Sequence, residues 1–216
     1  MKKFTINKDS SILIMGSSQE VKTRKIGKTI DTYDVVCRIN GNVDFLNGRN
    51  KDTVGTKKNI WFCLESSGIK RNKPSLIKQF DLVFVTNKKV YNQNKLKYKN
   101  LRLFPEEINN SCKNTLYSFN GCSLKYEPTS GIKSIFYFIT HFQKTPLEKG
   151  CMGTIYNNIH LFGFDGFKSG HWYGNKFIKN QEESDANARI GLGRHYVEKE
   201  FEYIQHLQNN NLLKLI

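Results

Sequence analysis

Short apolar runs separated by long polar crossovers constrain this chain more than any other feature. Ile12 to Met15, Asp34 to Asn40, Asn59 to Leu64 and Asp81 to Thr86 are each too short for a helix. They are rich in β-branched or aromatic residues and bounded by polar ones, so each reads as a buried strand. A weaker strand is expected at Leu101 to Phe104, another at Ile159 to Phe162, and a final one at Leu212 to Ile216. Parallel strands need long crossovers, whereas hairpins need only tight turns. The pattern therefore predicts an α/β fold: one Rossmann-like domain over residues 1–216, with a mainly parallel twisted sheet flanked by helices.

The crossovers carry helix signals. Gln19 to Ile26 reads as a short helix, and Pro105-Glu106-Glu107 opens another, with acids in its first turn. Ser130 to Phe142 is the strongest helix, because Ile132, Ile135, Phe136, Ile139 and Phe142 fall on one stripe. Tyr196 to Asn209 reads as a charged amphipathic helix. Asn42 to Lys58 is polar and contains glycine, so it reads as a long loop at one end of the sheet.

Charge and cysteine usage narrow the setting. Lys and Arg number 34 against 19 Asp and Glu, a formal net charge of +15. Such an excess creates a long-range positive field suited to an anionic partner. No helix concentrates arginine and no stacking motif accompanies the lysines, which argues against a dedicated nucleic-acid binder. An anionic membrane surface or a negatively charged substrate fits better. The five cysteines are odd in number and show no C-x-x-C spacing, so neither a zinc site nor a full disulfide framework is expected. Cys37 and Cys63 lie inside strand-like runs and read as buried thiols, which points to a reducing compartment. No run of eighteen apolar residues is present.

Several turns could carry chemistry. Gly16-Ser17-Ser18 follows the first strand, where a doubly wound sheet binds ligands, and its amides and hydroxyls suit a phosphate. Pro128-Thr129-Ser130-Gly131 precedes the strongest helix. Thr129 or Ser130 can cap that helix while its first-turn amides face an anion. His141 and His160 lie in regular elements and read as structural. His171 lies in an aromatic loop after a strand end, and His195 lies just before the last helix. Two loop histidines could serve as an acid–base or phosphate-binding pair. There is no Asp-x-Asp motif, no G-x-x-x-x-G-K-[ST] loop and no G-x-S-x-G elbow, so metal-dependent nucleotide-sugar enzymes, NTPases and serine hydrolases lack their usual parts.

Taken together, these segments resemble the four sialylmotifs of the animal-type sialyltransferases, glycosyltransferase family 29. Ile14 to Gln19, Gly27 to Gly41 and Val54 to Lys57 are similar to the long motif, G-N-S…G…I-D-x-x-D-x-V-x-R-x-N…V-G-x-K. Pro128 to Gly131, with the later Leu161 to Phe164, is similar to the short motif. His171-Trp172-Tyr173 resembles the third, H-Y-Y, and His195 with Glu200 matches the very short H-x-x-x-x-E. Their order and rough spacing cover most of the chain from residue 12 onward.

The resemblance implies a sialyltransferase-type GT-A variant, with an inverting mechanism, no metal and no cofactor, and CMP-sialic acid as donor substrate. His195 would be the general base on the acceptor hydroxyl, and His171 would stabilise the departing CMP. Gly16, Ser17, Ser18, Asn40, Thr129, Ser130, Gly131, Gly163 and Tyr173 would contact the donor, with Gly163 keeping the floor open. Glu200 would brace the His195 loop. The acceptor would be a glycan or glycolipid, with Asn42 to Asp52, Lys88 to Lys99 and Gln143 to Asn157 as acceptor loops. The disulfide positions of the family fall near Ile12 and Tyr156, so both half-cystines are absent together. A cytoplasmic enzyme is expected, held at a membrane face by its positive charge. Two alternatives stay open: a transferase using another CMP-sugar such as CMP-Kdo, and a catalytically inactive basic binding module.

Overall fold

The computed structural model describes residues 5–7, 9–43, 50–64, 74–122, 127–142, 158–166 and 197–216. Seven strands form one sheet: β1 Ile12–Met15, β2 Val35–Ile39, β3 Ile60–Cys63, β4 Leu82–Val85, β5 Leu101–Leu103, β6 Ile159–Phe162 and β7 Lys214–Leu215. Their order is β5-β4-β3-β2-β1-β6-β7. Every ladder is parallel, with Ile14 of β1 opposite both Cys37 and Leu161. The strands read as continuous apolar runs because helices cover both faces.

Side-chain alternation divides the core in two. Ile12, Ile14, Val35, Cys37, Phe62 and Phe84 point to one face. There they meet α5 (Glu106–Asn120), α6 (Ser130–Phe142) and α7 (Val197–Asn209). Leu13, Met15, Val36, Trp61 and Val83 point to the other. That face is covered through Val21, Ile30 and Val54 by α1 (Glu20–Thr23), α2 (Gly27–Thr32) and α3 (Lys51–Val54). A 3-10 turn at Pro74–Gln79 completes this layer, and α4 (Lys88–Asn94) joins β4 to β5.

The helix α6 has the boundaries its stripe predicts, but it is buried along its whole middle. Every residue from Ile132 to Ile139 is buried, Lys133 and Ser134 included. It is enclosed by β2 and β3, by α5, and by α7 through the stacked rings of Phe136 and Tyr203, 5.5 Å apart. The buried Lys133 ammonium pairs with Glu127, which also bonds Lys113 at 2.8 Å.

Three expectations change. Gln19 to Ile26 contains only the single turn of α1, and the larger helix of that crossover is α2. The expected loop from Asn42 to Lys58 contains α3. The expected acceptor loop from Lys88 to Lys99 begins as α4, which is capped by Asn87 Oδ1 accepting from the Val90 amide at 3.1 Å. That helix descends from the carboxyl end of β4, so Lys95 to Lys99 reach the amino end of β5. The acceptor loop from Gln143 to Asn157 lies outside the described residues, as do residues 44–49.

Candidate active site

The strand order reverses at β1, which pairs with β2 on one side and β6 on the other. A crevice opens at such a reversal, beyond the carboxyl ends of the strands. The turn after β1 and the turn after β6 meet there. The Gly16 amide donates to Phe162 O at 2.7 Å, and the Ser18 amide donates to Gly163 O at 3.0 Å. No side chain fits between them. A Cβ on Gly16 would sit 2.2 Å from Gly163 O, and one on Gly163 would sit 2.5 Å from Val21 Cγ2. Gly163 also has φ +79°, the left-handed region that favours glycine. Both glycines are thus required by the protein's own backbone, which presses two loops together to make a floor.

Asn40 forms the next wall. It follows β2 with φ 45°, a conformation asparagine tolerates better than most residues. Its Oδ1 accepts from the Leu64 amide at 3.1 Å, its Nδ2 donates to Ser130 Oγ at 3.1 Å, and its carbonyl accepts from Trp61 Nε1 at 3.0 Å. One side chain therefore ties the ends of β2 and β3 to the turn before α6.

Thr129 caps α6, because its Oγ1 accepts from the Ile132 amide at 3.3 Å. It is also held from the opposite direction. The Thr129 amide donates to Glu200 Oε1 at 2.7 Å, and its hydroxyl donates to Glu200 Oε2. Glu200 lies in the first turn of α7, 3% exposed. Burial pushes its carboxyl well above the usual carboxylate range, and the Thr129 amide only partly opposes this. The segments resembling the short and very short motifs are thus bonded together. Gly131 completes the turn, and a Cβ there would lie 3.0 Å from the ring of Phe164.

The remainder of the long-motif segment builds the support beneath this floor. Arg38 is wholly buried in β2, where its Nη2 donates to Lys57 O at 3.0 Å. Burial lowers its pKa to about 10, partly offset by the nearby Asp31 carboxylate. Asp31 in turn accepts from the Thr56 amide at 2.7 Å and the Lys57 amide at 2.9 Å. Gly55, at φ +65°, lets that loop close over Asp31. An arginine inside an otherwise apolar strand run was the available signal for this network.

The structure therefore brings Gly16, Ser18, Asn40, Thr129, Ser130, Gly131, Gly163 and Glu200 to one end of the sheet. Ser17 lies between Gly16 and Ser18 on the same turn. Ser18 stands apart in one respect: its hydroxyl is buried and has no hydrogen-bond partner among the described residues. His171, Tyr173 and His195 lie outside the described residues. His160 is bonded within the fold, its Nδ1 lying 2.6 Å from the Tyr33 hydroxyl. Among the described residues no group of three or more His, Cys, Asp or Glu could hold a metal ion. Phe164, which the sequence placed in the short-motif segment without a role of its own, stands between Gly131 and a hollow of about 390 Å³ at the ends of β6 and β7. Glu20, Arg24, Asp165 and Phe201 line the far side of that hollow.

Solved structures share this fold. A mammalian sialyltransferase superposes with a TM-score of 0.57 over 96% of this chain and 68% of its own, at 14% identity. The fold is the sialyltransferase fold. The sialyltransferase CstII from Campylobacter jejuni, solved in complex with a substrate analogue, cytidine-5'-monophosphate, matches with a TM-score of 0.55. That match covers 96% of this chain and 79% of the other, at 13% identity. No protein-family description matches the sequence, and no curated relative does.

Proposed function

We propose that this chain is an inverting, metal-independent sialyltransferase that moves sialic acid from CMP-sialic acid to a glycan acceptor hydroxyl. One observation carries the reading. Motif-like segments that are far apart in the sequence converge at the topological switch point of a sheet whose fold is that of sialyltransferases, one of them solved with cytidine monophosphate. The donor phosphate belongs over Gly16-Ser17-Ser18, where the Ser18 hydroxyl supplies a donor with no partner among the described residues. The nucleoside lies toward Asn40 and the Thr129-Ser130-Gly131 turn, at the amino end of α6. The dipole of this helix favours the negative charge there, and Tyr173 adds a further donor contact.

His195 acts as general base on the acceptor hydroxyl, and His171 donates to the leaving phosphate. The bond from Glu200 to Thr129 supports this assignment, because it fixes the first turn of α7, only five residues beyond His195, against the donor turn. Holding nucleophile, base and leaving group in register supplies much of the rate enhancement such transfer needs. No resident cofactor is required. Among the described residues Cys37, Cys112 and Cys122 are buried free thiols, which supports a reducing, cytoplasmic setting.

The test is a donor panel with recombinant protein and its His195→Ala variant. The reading expects turnover with CMP-sialic acid. It also expects the variant to lose roughly 10²–10⁴-fold in transfer while CMP affinity stays near wild type. Turnover with CMP-Kdo alone would replace the donor, and transfer indifferent to His195 would remove the assigned base.

A further inference from the structure

The amino-terminal end of the sheet at β3, β4 and β5 carries a concentrated basic surface. Lys78, Lys95, Lys97, Lys99 and Arg102 are all exposed there, and Lys58 adjoins them through a 2.7 Å bond from its ammonium to Gln79 Oε1. Among the described residues the acids nearest this surface are Asp81, which accepts from Asn59 Nδ2 at 2.9 Å, and Asp34 at the amino end of the adjacent β2, which accepts from the Ser11 amide at 2.8 Å. Glu106 and Glu107 belong to the opposite, carboxyl end of β5. Leu96 projects from the middle of this surface, 91% exposed. The lysines beside it lean away onto aromatic faces: Lys95 Nζ lies 5.7 Å from the Tyr91 ring centre, and Lys97 Nζ lies 5.4 Å from that of Tyr98. The two lysines that flank the leucine in sequence thus each set an ammonium group over a tyrosine ring.

A lone exposed leucine is ordinary on a soluble surface. An exposed leucine on a turn, flanked by lysines on both sides, is the arrangement of an interfacial anchor. No described helix is long and apolar enough to cross a bilayer. Nucleic acid fits less well, because Tyr98 is buried and the Tyr91 ring is already faced by the Lys95 ammonium, which leaves no open aromatic face to stack bases.

We infer that the turn from Lys95 to Lys99 docks this chain on an anionic lipid bilayer, with Leu96 entering the acyl boundary and the flanking lysines lying among the headgroups. The donor turns lie at the carboxyl ends of parallel strands, so this contact turns the candidate active site away from the lipid. The inference is independent of the enzymatic reading.

Flotation of the full chain with lipid vesicles tests it without any activity measurement. Wild type is expected to float with phosphatidylcholine vesicles containing 30% phosphatidylserine (the choice of probe, about the upper cytoplasmic-leaflet range) and not with pure phosphatidylcholine. Each lysine near such a surface contributes about 1 kcal/mol. Replacing Lys95, Lys97 and Lys99 with glutamine should therefore lower partitioning on the order of a hundredfold. Leu96→Ala should lower it roughly tenfold with the charge unchanged. A control neutralising Lys22, Lys25 and Lys28, on α1, α2 and the link between them, should lose less than a third as much. Equal loss in the control, no effect of Leu96→Ala, or no flotation of wild type would each overturn the inference.

Discussion

Removing the Glu200 carboxylate tests whether the last helix holds the donor turn. In Glu200→Ala the Thr129 amide and hydroxyl both lose their buried acceptor. Leaving a buried donor unpaired costs about 1–3 kcal/mol. The truncated side chain also leaves a void, while release of a desolvated carboxyl works in the opposite direction. The net expectation is a loss of about 3 kcal/mol. At about 2–4 °C per kcal/mol for a chain of this size, Tm should fall by roughly 6–12 °C. Glu200→Gln keeps the shape and one acceptor, and its amide can donate to Thr129 Oγ1, so it should stay within about 1 kcal/mol of wild type. The two variants also separate by pH. Burial raises the carboxyl's pKa in the folded state, so the folded protein holds its proton more tightly than the unfolded chain. The stability this provides is complete below the unfolded value of about 4.5 and is lost as pH rises through the folded pKa. Thermal melts across that window should show a decline in wild type that Glu200→Gln lacks. Equal Tm losses in the two variants, or an unchanged pH slope in Glu200→Gln, would refute the reasoning.

Further outcomes follow from the floor of the site. Gly163→Ala places a Cβ 2.5 Å from Val21 at φ +79° and should cost about 2–5 kcal/mol by denaturant titration; an unchanged midpoint would contradict the close approach of the two turns. Ser18→Ala removes a hydroxyl with no partner among the described residues, so Tm should move little. If that hydroxyl serves the donor phosphate, donor KM should rise about 10- to 100-fold, the worth of a hydrogen bond to a charged group. A large Tm loss with donor KM unchanged would assign Ser18 to the fold instead.

The sheet was legible because its strands are buried on both faces and leave unbroken apolar runs between polar bounds. The helix α6 was legible for the same reason, its cap and stripe agreeing. The short helices α2, α3 and α4 were not. Gly27, Thr29 and Thr32 are poor helix formers, and α2 exists because Gly27 lets it press against the Lys51 carbonyl of α3. Lys88 to Asn94 offers only the adjacent Val90 and Tyr91 to the core and is fixed by its Asn87 cap and by packing beside β5, which leaves no apolar period to read. The residues of the turns gathered at this end of the sheet could be named from the sequence, but the reasons for their identities could not. Gly16 and Gly163 are small because they face each other, and Asn40 is an asparagine because it bonds three segments at once. These are facts of contact between residues far apart in the chain, 90 positions for Asn40 and Ser130.

The central claim is that the turns gathered at the reversal of strand order hold a cytidine nucleotide. A crystal structure of the chain with CMP tests this most directly. The account predicts the phosphate above Gly16 to Ser18, the base and ribose between Asn40 and the Thr129 to Gly131 turn, and the imidazoles of His171 and His195 facing the position of the scissile glycosyl bond. A nucleotide bound elsewhere, or those two rings on separate faces of the molecule, would contradict it.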